Sequence, residues 1–143
     1  MRLILLIFIV MAAFIPAMGQ VQRASISHHA HFSQNELTPI YEADAVDVQP
    51  DFPGGQRALI NFINKVKEYP QQAYVNNVEG RVVCSVVINA DGSVGDIYVV
   101  RGVEVSLDRE AVRILRSMPN WHAGMLGGDK VSVRCFIPVV FRL

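Results

Sequence analysis

The chain has 143 residues, of which 51% are hydrophobic, and its 13 basic and 13 acidic side chains cancel. This length fits one small domain with short appendages. The balanced charge leaves no basic surplus that would attract nucleic acid and no acidic block that would act as a solvating tail. A nucleic-acid-binding protein and a protein with a long acidic tail are therefore both excluded.

The N-terminal segment, residues 1–19, has the pattern of an export signal. Arg2 is followed by an apolar run to Met18, and small residues stand at its end. A short basic start, an apolar middle and a small-residue exit are typical of a secretory signal peptide, which predicts a mature chain beginning near Gln20. The alternative is a short membrane anchor, although the run is about one residue below the usual spanning length and contains Pro16. Both interpretations predict that the remainder is exported.

Residues 20–50 show no sustained period of 2 or 3.6 and are predicted to form a flexible linker. His28, His29 and His31 could bind a transition metal, but no carboxylate or cysteine nearby would fix the geometry. A polar linker is therefore the favoured interpretation, and no metal or cofactor site is predicted.

The ordered domain is predicted to cover residues 51–143 and to begin with an amphipathic helix. Apolar residues recur there at the spacing of one helix face, and Pro70 ends the pattern. Residues 71–80 then form a short helical turn or loop. The apolar face of the first helix consists of Leu59, Phe62, Ile63 and Val66.

Two strands joined by a tight turn follow this helix. Apolar residues alternate with their neighbours from Val82 to Ile88, Asp91-Gly92 provides turn chemistry, and alternation resumes at Ile97 and Val99. This pattern predicts a β-hairpin.

A second amphipathic helix and a third strand complete the domain. The helix is predicted to start with Ser106 or Asp108 as its N-cap and to bury one stripe of side chains. Period-2 alternation over residues 131–141 predicts a strand that ends almost at the C-terminus. The stripe consists of Ala111, Ile114, Leu115 and Met118.

The loop between them, residues 117–124, contains Trp121 and His122. We interpret it as a structural corner, not a ligand pocket, because Trp121 can fold back over the apolar faces on either side. No carboxylate pair or activated nucleophile is recognisable along the chain, so an enzyme is not predicted.

Cys84 and Cys135 are both predicted to point inward from strands, where a thiol is usually an inert small hydrophobe. Their spacing excludes a zinc site. An oxidising compartment would permit a disulfide between them, and two buried free thiols are the alternative.

Together these motifs resemble the C-terminal domain of the TonB family, over about residues 50–143. The first part, Phe52–Gly55, is similar to members from the Bacteroidetes branch. The other residues that carry the resemblance are Tyr69-Pro70, Glu79-Gly80-Arg81-Val82, Asp91-Gly92, Ser117–Trp121 with Gly124, and Pro138 with Phe141–Leu143.

The resemblance implies a two-layer, TonB/TolA-like α+β domain. Its β-β-α-β core would hold a three-stranded antiparallel sheet, with the first strand central and the last at the edge, and an extra N-terminal helix. Pro138 suits this arrangement, because proline inside a strand is tolerated mainly at an edge.

The resemblance also implies a periplasmic energy transducer that is not an enzyme. Its partner would be an extended peptide at the N-terminus of an outer-membrane transporter, which adds to the sheet beside the last strand. A motor complex of the ExbB and ExbD type would supply force if residues 1–19 are a retained anchor. The peptide-binding residues implied are Arg134, Phe136, Pro138, Val139, Val140 and Phe141.

A soluble periplasmic interaction module without force transmission is the alternative, binding another envelope protein or a second copy of the chain. The family's long Pro-rich spacer is missing here. The linker of about 30 residues spans at most roughly 100 Å, which argues against force transmission across the whole envelope. Ala123 also stands where the family usually has proline, which should loosen the loop and leave the fold unchanged.

Overall fold

The computed structural model describes residues 38–143. The predicted export segment, the histidine tract and the first part of the linker lie outside the described residues. Among residues 38–143, no helix is long and apolar enough to cross a membrane. The elements are β1 (Ile40–Glu42), α1 (Gly55–Val66), α2 (Gln71–Val75), β2 (Gly80–Ile88), β3 (Val94–Arg101), α3 (Val105–Arg116), β4 (Gly124–Leu126) and β5 (Asp129–Phe141).

The sheet has the strand order β1-β5-β2-β3, and β4 pairs separately with β5. β2 is antiparallel to both β3 and β5, which confirms the predicted β-β-α-β core with its first strand in the centre. The three-stranded prediction was incomplete, because β1 adds to β5 in parallel and β4 forms a hairpin with it. Each of these two strands has three residues, too few to produce an alternating pattern.

The helices cover one face of the sheet, and the core lies between these two layers. α3 contributes most to it, because its apolar stripe is fully buried against β2 and β3. The opposite face of the sheet has no helical layer within residues 38–143. The buried core includes Val82, Val86, Ile88, Leu107, Ala111, Ile114, Leu115, Val139 and Phe141.

The N-cap of α3 differs from the prediction. Glu104 caps the helix through its carboxylate, which accepts a hydrogen bond from the Ser106 N–H at 3.0 Å. Asp108 accepts instead from the Val103 N–H at 2.9 Å and so tightens the turn before the helix. Glutamate is uncommon as an N-cap, so the sequence pattern favoured the shorter side chains of Ser106 and Asp108.

Trp121 forms the predicted corner. Its ring packs edge-on against Phe52 at 5.5 Å between centroids, and its backbone N–H donates to the Gly92 carbonyl at 2.7 Å. Gly92 has φ +87°, and a Cβ there would lie 2.1 Å from the Trp121 carbonyl oxygen. The β2–β3 turn and the corner therefore fit together only with glycine at this position.

Several residues between 40 and 51 pair with the last part of the chain, although the sequence pattern assigned residues up to 50 to the linker. β1 joins β5, and isolated bridges connect Val48 with Met125 and Asp51 with His122. The ordered part of the chain therefore begins before residue 51. The pairing partners lie about 70 to 90 residues later, so local periodicity gave no sign of them.

Both cysteines are free. Cys84 lies opposite Ile137, and Cys135 lies opposite Val86, so the two thiols are diagonal neighbours on adjacent strands. Diagonal pairs are about 7–8 Å apart, beyond the usual reach of a disulfide. Burial raises the pKa of the Cys84 thiol to about 11, with a smaller contribution from the Asp108 charge, as suits an inert core thiol.

Candidate functional site

Along β5, side chains alternate between the two faces of the sheet, and backbone groups alternate between β2 and the outer edge. Val133, Ile137, Val139 and Phe141 are buried on the helix face, whereas Phe136 lies on the open face and is 58% exposed. The predicted site residues Val139 and Phe141 therefore belong to the core. They support the strand from beneath and do not face its outer edge.

The position of Pro138 shows which N–H and C=O groups of β5 point away from β2, toward the outer edge. It lies opposite Val83 in a ladder with β2 that runs without a register shift from Gly80↔Phe141 to Ile88↔Val133. Because proline has no N–H to donate and the ladder is undisturbed, its nitrogen points outward. In an antiparallel pair the N–H and C=O of one residue share a direction. Phe136 and Val140 therefore also direct their backbone groups outward.

Lys67 supports this assignment and occupies part of the edge. Its Nζ donates to the Val140 carbonyl at 2.7 Å and lies 5.7 Å from the centroid of the Phe141 ring. Burial lowers the pKa of this ammonium group. The outward groups that remain for a partner strand are the N–H and C=O of Phe136, the Pro138 C=O and the Val140 N–H.

The other end of the edge is paired with the chain itself. β1 lies parallel to Ser132–Arg134, and the Arg134 guanidinium contacts the Glu42 carboxylate at 2.8 Å. Arg134, predicted from the sequence to meet an acidic residue of a partner peptide, meets an acidic residue of its own chain. Within residues 38–143, this pairing ends at Arg134.

Two hollows flank the unpaired part of the edge. One, of about 510 Å³, lies between α1 and the end of β5 and is lined by Ile60, Lys67, Pro138 and Val140 among others. The second, of about 360 Å³, lies beside Phe136, with Phe52 and Gln49 in its wall. A strand placed along β5 would have room for side chains at both positions.

The structure brings together Arg134, Phe136, Pro138 and Val140 of the predicted set, and it adds Glu42, Ile60 and Lys67. The three added residues lie on β1 and in and after α1, far from β5 in sequence. Lys67 stands just beyond the helical stripe, where lysine usually means a solvated position. Only the position of Ile60 outside the buried stripe could have signalled an exposed apolar contact.

The fold and this edge define the chain as a small two-layer α+β domain with an accessible sheet edge, a class in which extended segments can join the sheet. Residues 65–143 match the family described as the Gram-negative bacterial TonB protein C-terminal. The match covers more than half of the chain, which therefore belongs to this family. The predicted resemblance is confirmed.

Among individual relatives, the chain is 33% identical over 82 residues to the protein TonB of Helicobacter pylori. The match covers 57% of this chain and 27% of that protein, so it spans about a quarter of the relative's length. A solution structure of the H. pylori TonB C-terminal domain has 28% identity and a TM-score of 0.48, covering 60% of this chain and 90% of that one. The Pseudomonas aeruginosa domain has 26% identity and a TM-score of 0.41, with coverage of 54% and 78%.

Proposed function

We propose that this domain is the peptide-binding part of a TonB-type energy-transducing protein in the periplasm. Its partner is the extended N-terminal peptide of an outer-membrane transporter, which adds as a strand to the outer edge of β5. The observation that carries the proposal is β1, because a segment of the chain already pairs with this edge in parallel. Strand addition of this kind gains affinity from backbone hydrogen bonds and needs no deep pocket.

The transporter peptide replaces β1. A peptide that follows the edge from Ser132 to Val140 needs the positions that β1 occupies. β1 has only three residues, and its flanking positions Ile40 and Glu42 are exposed, so little apolar burial holds it in place. An acidic residue in the peptide then takes the place of Glu42 beside Arg134.

Phe136→Pro tests the ladder directly. The substitution removes one outward N–H and leaves the β2 ladder intact, as Pro138 already does two residues later. We expect binding of synthetic peptides with transporter N-terminal sequences, measured by fluorescence anisotropy, to weaken about tenfold, since one hydrogen bond and its neighbours are lost. Circular dichroism should be unchanged.

Phe136→Ala is the matched control, because it removes the same ring and keeps the N–H. It should bind more tightly than Phe136→Pro. Equal weakening by both substitutions would mean that the ring, and not strand addition, binds the peptide.

Glu42→Arg tests the replacement of β1. Two like charges at positions 42 and 134 should loosen the pairing of β1 with β5 and strengthen peptide binding.

Force transmission is the further part of the proposal, and it requires an anchor at the N-terminus linked to a motor complex of the ExbB and ExbD type. Mass spectrometry of the chain recovered from cells tests it. Intact Met1 in the inner-membrane fraction supports an anchored transducer. A chain that begins near Gln20 would restrict the function to that of an exported peptide-binding module.

A further inference from the structure

The opposite edge of the sheet is formed by β3. Among residues 38–143, β3 pairs only with β2, and the row of backbone groups on its outer side has no strand beside it. It contains neither proline nor lysine, which commonly protect an edge, but it carries the charged residues Asp96 and Arg101, and its pairing with β2 has two register shifts. Tyr98 and Val100 are 64% and 53% exposed, and Val105, just beyond the strand, is 62% exposed.

A groove of about 450 Å³ runs between this edge and α3. Its floor is apolar, from Val99, Val105 and Val112. Its wall is basic, because residues seven apart share one helix face and place Arg109 and Arg116 on the same side of α3. The groove therefore combines an apolar floor with a positive wall.

The positive charge of this wall is only partly neutralised. Arg113 is paired with Glu110 at 2.6 Å, and Asp108, also at the groove, is hydrogen-bonded to the Val103 N–H. Arg109 and Arg116 form no ion pair within residues 38–143. Two arginines beside an unpaired strand edge match a ligand that supplies both a backbone and carboxylates.

We propose that the β3 edge and the α3 groove form a second docking surface, which binds an extended acidic peptide of another protein. The peptide adds as a strand about 4.8 Å from β3. Its acidic side chains point toward Arg109 and Arg116, and its alternate apolar side chains lie beside Tyr98 and Val100. This site is independent of the proposed peptide-binding edge on β5.

A second copy of the chain fits the surface poorly. Two-fold pairing of β3 with β3 would place the α3 helices of both copies on the same side of the joined sheet. Their arginine-rich faces would then lie next to each other, and such like-charge contacts are unfavourable at an interface. Charge complementarity therefore selects an acidic partner.

The probe for the test is an eight-residue peptide of alternating valine and glutamate with blocked ends, added to the full chain. We expect saturable binding that shifts backbone amide NMR signals of β3 and α3 and slows hydrogen exchange along β3, whether or not the signals of β5 also shift. A peptide of alternating valine and lysine should not bind. Absence of binding by the glutamate peptide, or shifts confined to β5, would overturn the proposal.

The variant Arg109→Glu/Arg116→Glu should weaken the glutamate peptide about tenfold, the effect of two exposed ion pairs turned repulsive. Arg57→Glu/Lys65→Glu on α1 is the matched control, since both positions are exposed and the net charge changes equally. It should change affinity less than twofold. Equal losses of affinity in both variants would mean that binding depends only on the net charge of the protein, and would contradict a binding site at Arg109 and Arg116. Sedimentation showing self-association through β3 without any peptide would overturn the proposal in favour of a second copy.

Discussion

The two edges of the sheet have the same chemistry and different protection. The β5 edge is paired with β1 over three residues, lacks a donor at Pro138 and has its last carbonyl bonded to Lys67. The β3 edge has none of these features within the described residues. A ligand at β5 must therefore displace β1. Its net binding free energy is the difference between pairing of β5 with the ligand and pairing of β5 with β1. A ligand at β3 displaces only water.

The largest expected effect compares how much the core side chains of β5 and of β3 contribute to the free energy of unfolding. Phe141, at the end of β5, is fully buried and packs edge-on against Tyr69 at 5.8 Å. Phe141→Ala should lower the free energy of unfolding by about 3–5 kcal/mol in urea denaturation. Val99→Ala on β3 should cost only about 1 kcal/mol, because Val99 is partly exposed. Equal costs would mean that the β3 edge is anchored as firmly as β5.

The next effect compares the turns that lead into the two edge strands. Gly92→Ala should cost about 3 kcal/mol, since a left-handed backbone is combined with a collision against the Trp121 carbonyl. Gly127 precedes β5 with φ +60° and open space around it, so Gly127→Ala should cost only about 1 kcal/mol. Thermal unfolding of both variants measures the difference. A smaller loss for Gly92→Ala would show that the corner can move away from the turn.

Glu110 links α3, which covers the β3 side, to the segment after α1. Its carboxylate accepts from the Glu68 N–H and from the Arg113 Nε, each at 2.7 Å. Burial alone would raise the pKa of Glu110, but these hydrogen bonds and the Arg113 charge together lower it. A lowered folded-state pKa contributes stability above the unfolded value of about 4.3, and this contribution is lost as pH falls through the folded pKa.

Glu110→Gln should therefore cost about 2 kcal/mol at pH 7 and less in acid. Denaturation curves at neutral pH and below the unfolded pKa measure this, and the variant should have a flatter acid dependence than the wild type. Asp96→Asn, at an exposed position on β3, is the control and should change stability by less than about 0.5 kcal/mol at both pH values. An unchanged acid dependence in Glu110→Gln would contradict the role given to this carboxylate.

The smallest effect concerns the ion pair that closes β1 onto β5. Glu42 and Arg134 are both substantially exposed, so Glu42→Gln should lower stability by no more than about 0.5 kcal/mol, and less at high salt. Peptide binding at β5 is the more sensitive readout, because it compares β1 directly with the ligand. A loss above about 1 kcal/mol would mean that β1 is an integral strand and is not readily displaced.

The sequence predicted the elements whose patterns are long enough to repeat. The alternation around Cys84, the helical stripe ending at Met118 and the Asp91-Gly92 turn gave the β-β-α-β core and its order. β1 and β4 were missed because a three-residue strand is defined by its distant partner and not by its own residues. The same limit applies to Lys67, whose contact with Val140 spans 73 positions.

That a partner binds at the outer edge of β5 stays a prediction, and the sequence analysis did not separate the core residues of β5 from those at its edge. Period-2 alternation already separates Phe136 and Pro138 from Val139 and Phe141, and it could have assigned the latter two to the core. The direction of the backbone groups needed the uninterrupted register with β2, which only the structure gives.

The missing donor at Pro138 also bears on fibril formation. Stacked growth of identical chains requires every strand to offer a continuous row of donors to the next copy. β5 offers a row that is broken at Pro138, so it can accept a short guest strand but is a poor template for repeated addition of its own kind. Pro138 therefore limits self-pairing along β5 to short stretches on either side of it.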